Sequence, residues 1–365
     1  MMPHSLDRLT IRGFKSIRTL EEFQLNNLNV FIGGNGAGKS NLVEFFRLLR
    51  SVIDGNLNDY IRSGGGIGDF LFNGSKVTSQ VCSEVNFGPH GYRFSLKPGP
   101  SGTPLLTAEA RFYHDEDSGW RELGDSTDGK SFLEKESDSS NRRYCQQVYD
   151  AISSWQIYHF HDTSPTAALR QCEIIQDNKV LRFDASNIAP YLLRLKQDNH
   201  DAYREILNSV RLVIPFLEDF LLEVTDSGAK QKVSLTWQQE GSDYPMQPYH
   251  FSDGSIRFIC LATALLQPDP PSTIIINEPE LGLHHSAIPI LAELIRDAAK
   301  RTQLIIATQS PALIDKFGIE DVVVVNRKDG ASSFERLQEK EFSAWLENYS
   351  VGELWSLNVI CGGPA

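Results

Sequence analysis

The chain has 365 residues, 41% of them hydrophobic and 22% charged, with a formal net charge of −12. This length and composition predict a globular protein of two or three average domains with a sizeable core. The acidic balance argues against non-specific coating of nucleic acid, because such binding requires neutralised phosphates. No apolar run approaches the ~20 residues of a membrane-spanning helix.

Cysteine usage and the first residues point to one compartment. The five cysteines are scattered without C-x-x-C spacing, at Cys82, Cys145, Cys172, Cys260 and Cys361. Residues 1–7 lack the basic-then-apolar layout of a signal peptide. We therefore expect a cytoplasmic protein with reduced thiols and no membrane partner.

The first predicted elements surround a Gly-rich stretch. An opening strand is predicted over residues 6–15, and a second, apolar strand covers residues 28–32. A helix is predicted from Asn41 to Arg50, because apolar residues recur at the i, i+3, i+4, i+7 spacing of a helical core face, as Leu42, Phe45, Phe46 and Leu49.

Between that strand and that helix lies the motif G-x-x-x-x-G-K-S, which is typical of a phosphate-binding P-loop. Its glycines let backbone N–H groups converge on phosphate oxygens, Lys39 carries a charge for the β- and γ-phosphates of ATP, and the Ser40 hydroxyl is suited to Mg²⁺. An ordinary Gly-rich turn is the alternative, and the strand-to-helix context disfavours it. The candidate nucleotide-binding residues are Gly33, Gly34, Asn35, Gly36, Ala37, Gly38, Lys39, Ser40 and Asn41.

The middle of the chain follows other patterns. Residues 54–74 are rich in Gly and Asn and predict a loop, and residues 76–114 alternate in short runs that predict an antiparallel meander. The polar stretch 115–141 predicts a mobile surface loop. Residues 185–220 are helical in pattern, with an interruption near Pro215.

The last third alternates buried strands with amphipathic helices, which predicts an α/β fold with a parallel sheet that includes the P-loop strand. We expect one discontinuous domain over residues 1–365. Its nucleotide-binding core is formed by 1–50 and 251–365, and 51–250 is an insertion with an antiparallel β meander and a helical lobe.

The predicted strand Ile274–Ile276 runs into an acidic turn, Asn277-Glu278-Pro279-Glu280. In P-loop ATPases the carboxyl end of a central strand positions Mg²⁺ and the attacking water. Glu278 is therefore a candidate catalytic base. Asn277 is a candidate metal contact through a water molecule, and its neutral amide predicts slow turnover. A plain strand with an acidic turn is the alternative.

Two further motifs accompany these. Ser252, Asp253 and Gly254 precede an apolar helix, and a Ser-x-Gly turn at a helix start is a second candidate phosphate-binding terminus; a plain N-cap is the alternative. Gln309 follows the buried strand 303–307, which we expect beside the acidic strand, and is a candidate catalytic sensor of the γ-phosphate.

Histidine pairs raise the question of a metal site. His284 and His285 are adjacent in a turn, so we expect them to point apart in a dimer-contact loop. His159 and His161 share a face by the period of two in a strand. No further residues with zinc-ligand spacing accompany either pair. Their roles, and that of His285 in particular, stay open.

The motif set resembles the ABC-type ATPase heads of the RecF/SMC group, and most closely the compact bacterial predicted ATPases (AAA family) that lack a coiled-coil arm. The resemblance extends to Ile11-Arg12-Gly13-Phe14-Lys15-Ser16, to the stretch 158–165 and to Gly352-Glu353-Leu354-Trp355. It implies a P-loop NTPase of the ABC/SMC head type, with a mixed-sheet core, an antiparallel β subdomain and a helical lobe.

The resemblance also implies ATP-sandwiched homodimers, in which the Ser252–Gly254 helix of one protomer completes the P-loop site of the other. It implies that Lys15 approaches the nucleotide and that His161 and Asp162 sense the γ-phosphate. Two residues depart from the group's pattern: Asn277 replaces aspartate, and His285 stands where proline is common.

The sequence as a whole predicts an ATP-hydrolysing switch with Mg²⁺, linked to DNA maintenance or anti-phage defence and read by DNA or by an effector partner. A nucleotide-gated module with negligible hydrolysis, controlling a toxin or nuclease, is the main alternative. A nuclease and a transporter motor are disfavoured. The partner, any DNA binding and the oligomer beyond a dimer are not determined by the sequence.

Overall fold

The structure is a computed structural model that describes residues 5–113, 119–126, 130–133, 139–228 and 230–360. The helices are α1 Lys39–Ile53, α2 Leu57–Ser63, α3 Ser139–Ser153, α4 Ile188–Asp198, α5 His200–Val213, α6 Asp253–Leu266, α7 Ala287–Ala298, α8 Pro311–Ile314, α9 Glu339–Leu346 and α10 Val351–Ser356. The strands are β1 Arg8–Phe14, β2 Ile17–Gln24, β3 Leu28–Ile32, β4 Val81–Phe87, β5 His90–Pro98, β6 Pro104–Tyr113, β7 Arg121–Ser126, β8 Gln156–Tyr158, β9 Glu173–Ile174, β10 Leu217–Phe220, β11 Val224–Ser227, β12 Lys230–Val233, β13 Trp237–Gln239, β14 Pro245–Met246, β15 Thr273–Asn277, β16 Gln303–Thr308, β17 Val322–Lys328 and β18 Ala331–Arg336.

The described residues form two compact units. The first unit consists of the chain up to Ile157, of 271–275, and of the chain from Thr302 onward. The second unit consists of 158–270 and 276–301. The boundary passes through β15, so that the strand begins in the first unit and its last two residues belong to the second.

A mixed sheet in the first unit has the strand order β18-β17-β3-β16-β15-β8. Every residue of β3 is buried, and the strand pairs in parallel with β16 and β17. Strands that are covered on both faces have continuous apolar sequences, and the buried strands of this sheet were predicted from that pattern. The expected neighbourhood of β16 and the acidic strand β15 is present, and β18 closes the edge in antiparallel pairing with β17.

Helix α1 begins at Lys39, two residues before its predicted start, and the predicted core face is confirmed. Leu42, Phe45, Phe46 and Leu49 are all at most 2% exposed. Phe46 packs edge-to-face on Trp155, with ring centroids 5.4 Å apart. Aromatic packing of this kind adds to the burial of apolar area, and it anchors the helix that follows the Gly-rich loop.

The second sheet of this unit is antiparallel, in the order β2-β1-β4-β5-β6-β7. Strands β4 to β6 confirm the predicted meander. Strand β2 was not predicted, and β7 lies inside the stretch 115–141 that we expected to be a loop; the rest of that stretch falls partly outside the described residues.

The predicted loop over residues 54–74 is also wrong in part, because it contains helix α2. Leu57 and Ile61 lie one turn apart on this helix and are at most 1% exposed. Their burial outweighs the low helix propensity of the Gly- and Asn-rich flanks, which end the helix at Gly64.

Strand β6 carries a carboxylate into the core of the antiparallel sheet. Glu109 is fully buried and accepts hydrogen bonds from the Tyr92 hydroxyl at 3.0 Å, from the Ser131 hydroxyl and from the Phe132 amide. Burial raises the pKa of Glu109, because the charged form is desolvated.

A raised carboxyl pKa has a defined consequence for stability. The stabilising contribution of Glu109 is complete below its unfolded-state pKa and is lost as the pH rises through the folded-state pKa. We therefore expect the Tm of the wild type, relative to that of Glu109→Gln, to increase when the pH is lowered from about 8 to about 5. Thermal unfolding followed by circular dichroism measures this, and a difference that is constant with pH contradicts it.

The second unit is mainly helical and is built around α6. Nearly every side chain of α6 from Ile256 onward is buried, which is typical of a central helix. Helices α4 and α5 occupy the region predicted as helical, and α5 ends before Pro215 as expected. The separation of α4 from α5 was not predicted: the Asn199 side chain accepts from the Ala202 amide and caps the start of α5.

Four of the cysteines lie in the described residues, and none of these four forms a disulfide there. Burial raises the pKa of Cys260 to about 12. No helix within the described ranges is both long enough and apolar enough to cross a membrane.

Candidate functional site

The P-loop residues form a tight turn between β3 and α1. Gly36 and Gly38 have φ values of 77° and 118°, which only glycine adopts readily. Lys39 is 5% exposed, and its Nζ donates to the carbonyl oxygens of Gly33 at 2.6 Å and Gly34 at 3.3 Å. The loop therefore encloses the lysine ammonium within its own backbone.

The first and last glycines of the motif, Gly33 and Gly38, also leave no room for a side chain. A Cβ at Gly33 would collide with the carbonyl oxygen of Val325. A Cβ at Gly38 would collide with the Ser332 hydroxyl and would lie 2.8 Å from that of Ser16. The glycines are thus required by close packing against the loop's exterior as well as by backbone conformation.

A relay of hydroxyl groups holds the loop from outside. The Asn41 amide donates to Ser16 Oγ at 2.7 Å, Ser16 and Ser332 share a hydrogen bond of 2.7 Å, and Ser332 Oγ donates to the Ala37 carbonyl at 2.5 Å. Sequence reasoning missed Ser332, which lies in an unremarkable strand of the β17–β18 hairpin. Asn41, a candidate binding residue, has a positioning contact here.

Ser40, by contrast, is exposed at the start of α1. Its hydroxyl is accessible to a ligand, as a Mg²⁺ contact requires. Ser40 thus lies at the N-terminal end of α1, which is the end of a helix that attracts anions. These features fit a nucleotide phosphate with its metal ion.

A polar cavity of about 370 Å³ adjoins this loop in the first unit. Lys15 lines it, with its ammonium paired to Glu44 at 2.6 Å and placed 4.9 Å over the Phe70 ring. Arg327, which sequence reasoning missed, also lines it and donates to the Gly36 carbonyl at 3.3 Å. The remaining lining residues are Ser16, Asn41, Gly68, Asp69, Leu71, Asn73, Gly74 and Gly330.

Gln309 lies at the sheet edge where the P-loop starts. Thr308, the last residue of β16, is in register with Ile32 of β3, and Gln309 follows it half-buried. Because parallel strands end at the same edge of a sheet, Gln309 and Gly33, which directly follow β16 and β3, both lie at that edge. The next residue, Ser310, accepts from the Leu313 amide at 3.3 Å and caps α8.

In the second unit, the predicted Ser-x-Gly turn starts α6. Ser252 Oγ accepts from the Ser255 amide at 3.1 Å, so the residue is an N-cap. Ser252 and Asp253 are exposed, which leaves the helix start open. Gly254 lies against the acidic-turn segment, where a Cβ would be 2.5 Å from the Gly282 carbonyl oxygen.

The acidic turn has two unusual features. Glu278 has a φ of 50°, a left-handed conformation that costs energy in a non-glycine residue and often marks a functional site. Asn277 Oδ1 is buried and, in the part of the chain that the structure describes, has no hydrogen-bond partner. An unsatisfied buried acceptor is costly, and a metal-bound water is the type of donor that would satisfy it.

Both histidine pairs have their rings in contact. The ring centroids of His284 and His285 are 4.0 Å apart, so our expectation that they point apart is wrong. Those of His159 and His161 are 4.1 Å apart, although β8 ends at Tyr158 before either residue. Within the described ranges, no group of three or more His, Cys, Asp or Glu side chains is arranged to hold a metal ion.

Comparisons with known proteins agree with this geometry. The chain matches the family described as "AAA domain, putative AbiEii toxin, Type IV TA system" over residues 28–315. The sequence matches no curated protein.

Among solved structures, the chain is similar to an Smc head bound to the C-winged helix domain of ScpA, with 16% identity, a TM-score of 0.55, and coverage of 93% of this chain and 99% of that one. It is also similar to an Smc head with an extended coiled coil, bound to the C-terminal domain of ScpA and derived from Pyrococcus furiosus, with 15% identity, a TM-score of 0.55, and coverage of 94% and 98%.

The family match covers most of the chain, and the structural matches share its fold. The predicted ABC/SMC-like recognition and the predicted P-loop NTPase fold class are confirmed. This protein is a compact, nucleotide-binding ATPase head with the SMC-head fold, and it belongs to the AAA-domain family described as "putative AbiEii toxin, Type IV TA system".

Proposed function

We propose that the protein is an ATP-driven switch that binds ATP with Mg²⁺, dimerises on binding and reopens on hydrolysis. The observation that carries this proposal is the P-loop, with its buried lysine ammonium held by two loop carbonyls and its exposed serine hydroxyl. ATP phosphates are a better partner for that ammonium than neutral carbonyls, because the hydrogen bonds become charge-assisted at both ends.

Each remaining candidate residue has a role in this proposal. Ser40 would hold Mg²⁺, and the ion would neutralise charge on the phosphates. Asn277 would accept a hydrogen bond from a water of the metal through its Oδ1, which has no hydrogen-bond partner among the described residues. Glu278 orients and deprotonates the attacking water, and Gln309 senses the γ-phosphate.

The proposed dimer uses the start of α6. Ser252 and Gly254 of one protomer would complete the nucleotide site of a second copy, with the exposed helix start directed at phosphate. Sizing by light scattering with and without ATP and Mg²⁺ tests this directly. A molecular mass that is independent of ATP overturns the switch.

We expect Asn277→Asp to raise the steady-state rate of ATP hydrolysis. An aspartate places a negative charge where, within the described part of the chain, the buried Asn277 Oδ1 has no hydrogen-bond partner. A charged acceptor binds a metal-bound water more strongly than an amide does. The measurement is phosphate release per protomer at saturating ATP. An unchanged or lower rate contradicts this account of position 277.

A second candidate function is a nucleotide-gated module with negligible hydrolysis that controls a partner toxin or nuclease in defence. The neutral Asn277 favours it, and so does the family description, which names a toxin of a toxin–antitoxin system. The related SMC heads are bound to ScpA, another protein, which is a precedent for a partner-reading head. A steady-state ATPase assay on the purified protein separates the two candidates.

A further inference from the structure

Residues 160–170, which we call the strap, lie in the second unit. They contact both parts of that unit that contain candidate site residues, the start of α6 and the acidic turn. Four of its side chains, Phe160, Thr163, Ala167 and Leu169, are at most 6% exposed. It contains no strand and only a short 3-10 turn at its end. Hydrogen bonds from two arginines, one at each end, hold the strap in place.

The first arginine is Arg257 of helix α6, which is 6% exposed. Its guanidinium donates to the strap carbonyls of Phe160 at 2.8 Å and His161 at 3.0 Å, and it also donates to the carbonyl of Leu281. Leu281 lies three residues after Glu278. One side chain thus bonds the α6 helix, the strap and the acidic-turn segment at once.

The second arginine, Arg170, is the last residue of the strap. Its side chain, 5% exposed, donates from the strap to the carbonyls of Pro248 at 2.6 Å and Phe251 at 3.1 Å, and to the Asp253 carboxylate at 2.9 Å. These acceptors surround Ser252. The strap therefore holds the turn that starts α6, while α6 holds the strap.

Two further contacts join the strap, α6 and the acidic turn. His161 Nε2 donates to the Asn277 carbonyl at 2.9 Å, which ties the strap to the last residue of β15. Gly282 has a φ of 73°, and a Cβ there would collide with the guanidinium of Arg257. The glycine in this turn is thus needed to admit the arginine.

We propose that Arg257 and Arg170 are positioning residues that make the start of α6, the strap and the acidic turn a single mechanical unit. Displacement of α6 at its N-terminus by a partner's nucleotide would then move Glu278. This inference rests on the proposed function and extends it by naming how dimer contact controls water activation. Packed, hydrogen-bonded networks of this kind carry coupling between sites.

Arginine is required because its planar fork reaches several carbonyls at once, whereas the lysine ammonium is a compact point charge. Arg257→Lys and Arg170→Lys keep the charge and lose the multiple contacts. Arg301→Lys is a matched control, since Arg301 donates to the carbonyls of Leu265 at 2.8 Å and Gln267 at 3.0 Å near the other end of α6.

Hydrogen–deuterium exchange on the nucleotide-free protein tests the physical unit. Arg257→Lys is expected to raise amide exchange in residues 160–170 and in residues 278–283 together, by about tenfold, while Arg301→Lys leaves both segments unchanged. Faster exchange in only one segment, or in neither, overturns the proposal even if the protein folds and binds ATP normally.

Kinetics tests the consequence. Arg257→Lys and Arg170→Lys are expected to lower kcat by about tenfold to a hundredfold, since a small displacement of a catalytic group has effects of that size, while the Kd for ATP stays unchanged. Because both act through one strap, the double variant should lose no more than the worse single variant. Additive losses, or a wild-type kcat in either single variant, overturn the coupling.

The two proposals fail separately. A wild type without ATPase activity or ATP-dependent dimers refutes the proposed function, and the exchange pattern then decides alone whether the mechanical unit exists. An active, dimerising wild type with unchanged kinetics in both arginine variants refutes the coupling and leaves the switch intact.

Discussion

Lys39→Ala is expected to abolish measurable ATP binding in a titration monitored by calorimetry or by a fluorescent ATP analogue. The Lys39 ammonium is buried and already sits within 2.6 Å of a loop carbonyl, so its charge is held at the P-loop before ATP arrives. Charge-assisted bonds to phosphate, and the helix N-terminus beside them, are strong contributions to anion binding. A loss of at least about a hundredfold in affinity corresponds to about 2.7 kcal/mol.

The matched control is Lys97→Ala, which removes an exposed ammonium from β5 in the same unit. It should bind ATP as the wild type does. Thermal unfolding of Lys39→Ala should remain cooperative, so that a loss of affinity is not a loss of fold. Normal ATP binding by Lys39→Ala would show that the P-loop assignment is wrong.

Glu278→Gln is expected to lower the turnover of ATP by about a hundredfold or more, because removal of a general base typically costs between 10² and 10⁴. ATP binding and ATP-dependent dimerisation should persist, and the ATP-bound dimer should last longer than that of the wild type. The amide keeps the size of the side chain in its left-handed backbone conformation but cannot accept the proton of water. Phosphate release and sizing in ATP and Mg²⁺ measure the two effects.

Glu293→Gln serves as the control, since it makes the same chemical change on α7 of the same unit, in an exposed pair with Arg296. It should hydrolyse ATP at the wild-type rate. If Glu278→Gln is as active as this control, another group activates water, and the acidic turn has only a structural role.

Much of the site was accessible from local sequence. The G-x-x-x-x-G-K-S spacing, the apolar β3 before it and the helical period of α1 after it are all short-range patterns, and the structure has the strand, loop and helix in that order. The N-cap role of Ser252 follows equally from the few residues around it. The expected loops failed where burial overrode local propensity, as in α2, whose Leu57 and Ile61 pack into the core.

The contacts that hold these motifs in place could not be predicted from local sequence. Ser332 reaches the P-loop from 295 residues away in the chain, and Arg257 reaches the Phe160 carbonyl across 97 residues. Hydroxyl and guanidinium groups bond any carbonyl that the fold brings within reach, so their residue type alone does not identify a partner. The contact between the rings of His284 and His285 likewise depends on the turn that holds them.

The sequence by itself determined that a phosphate-binding loop follows one buried strand and that an acidic turn follows a second. It also determined that a helix start with a Ser-x-Gly turn precedes that second strand. Each of these motifs consists of neighbouring residues. Only the tertiary structure decided what holds them: the hairpin serine behind Gly38, the unsatisfied oxygen of Asn277, and the two arginines that bind the strap. These are contacts between distant segments, and they exist only once the core has brought the segments together.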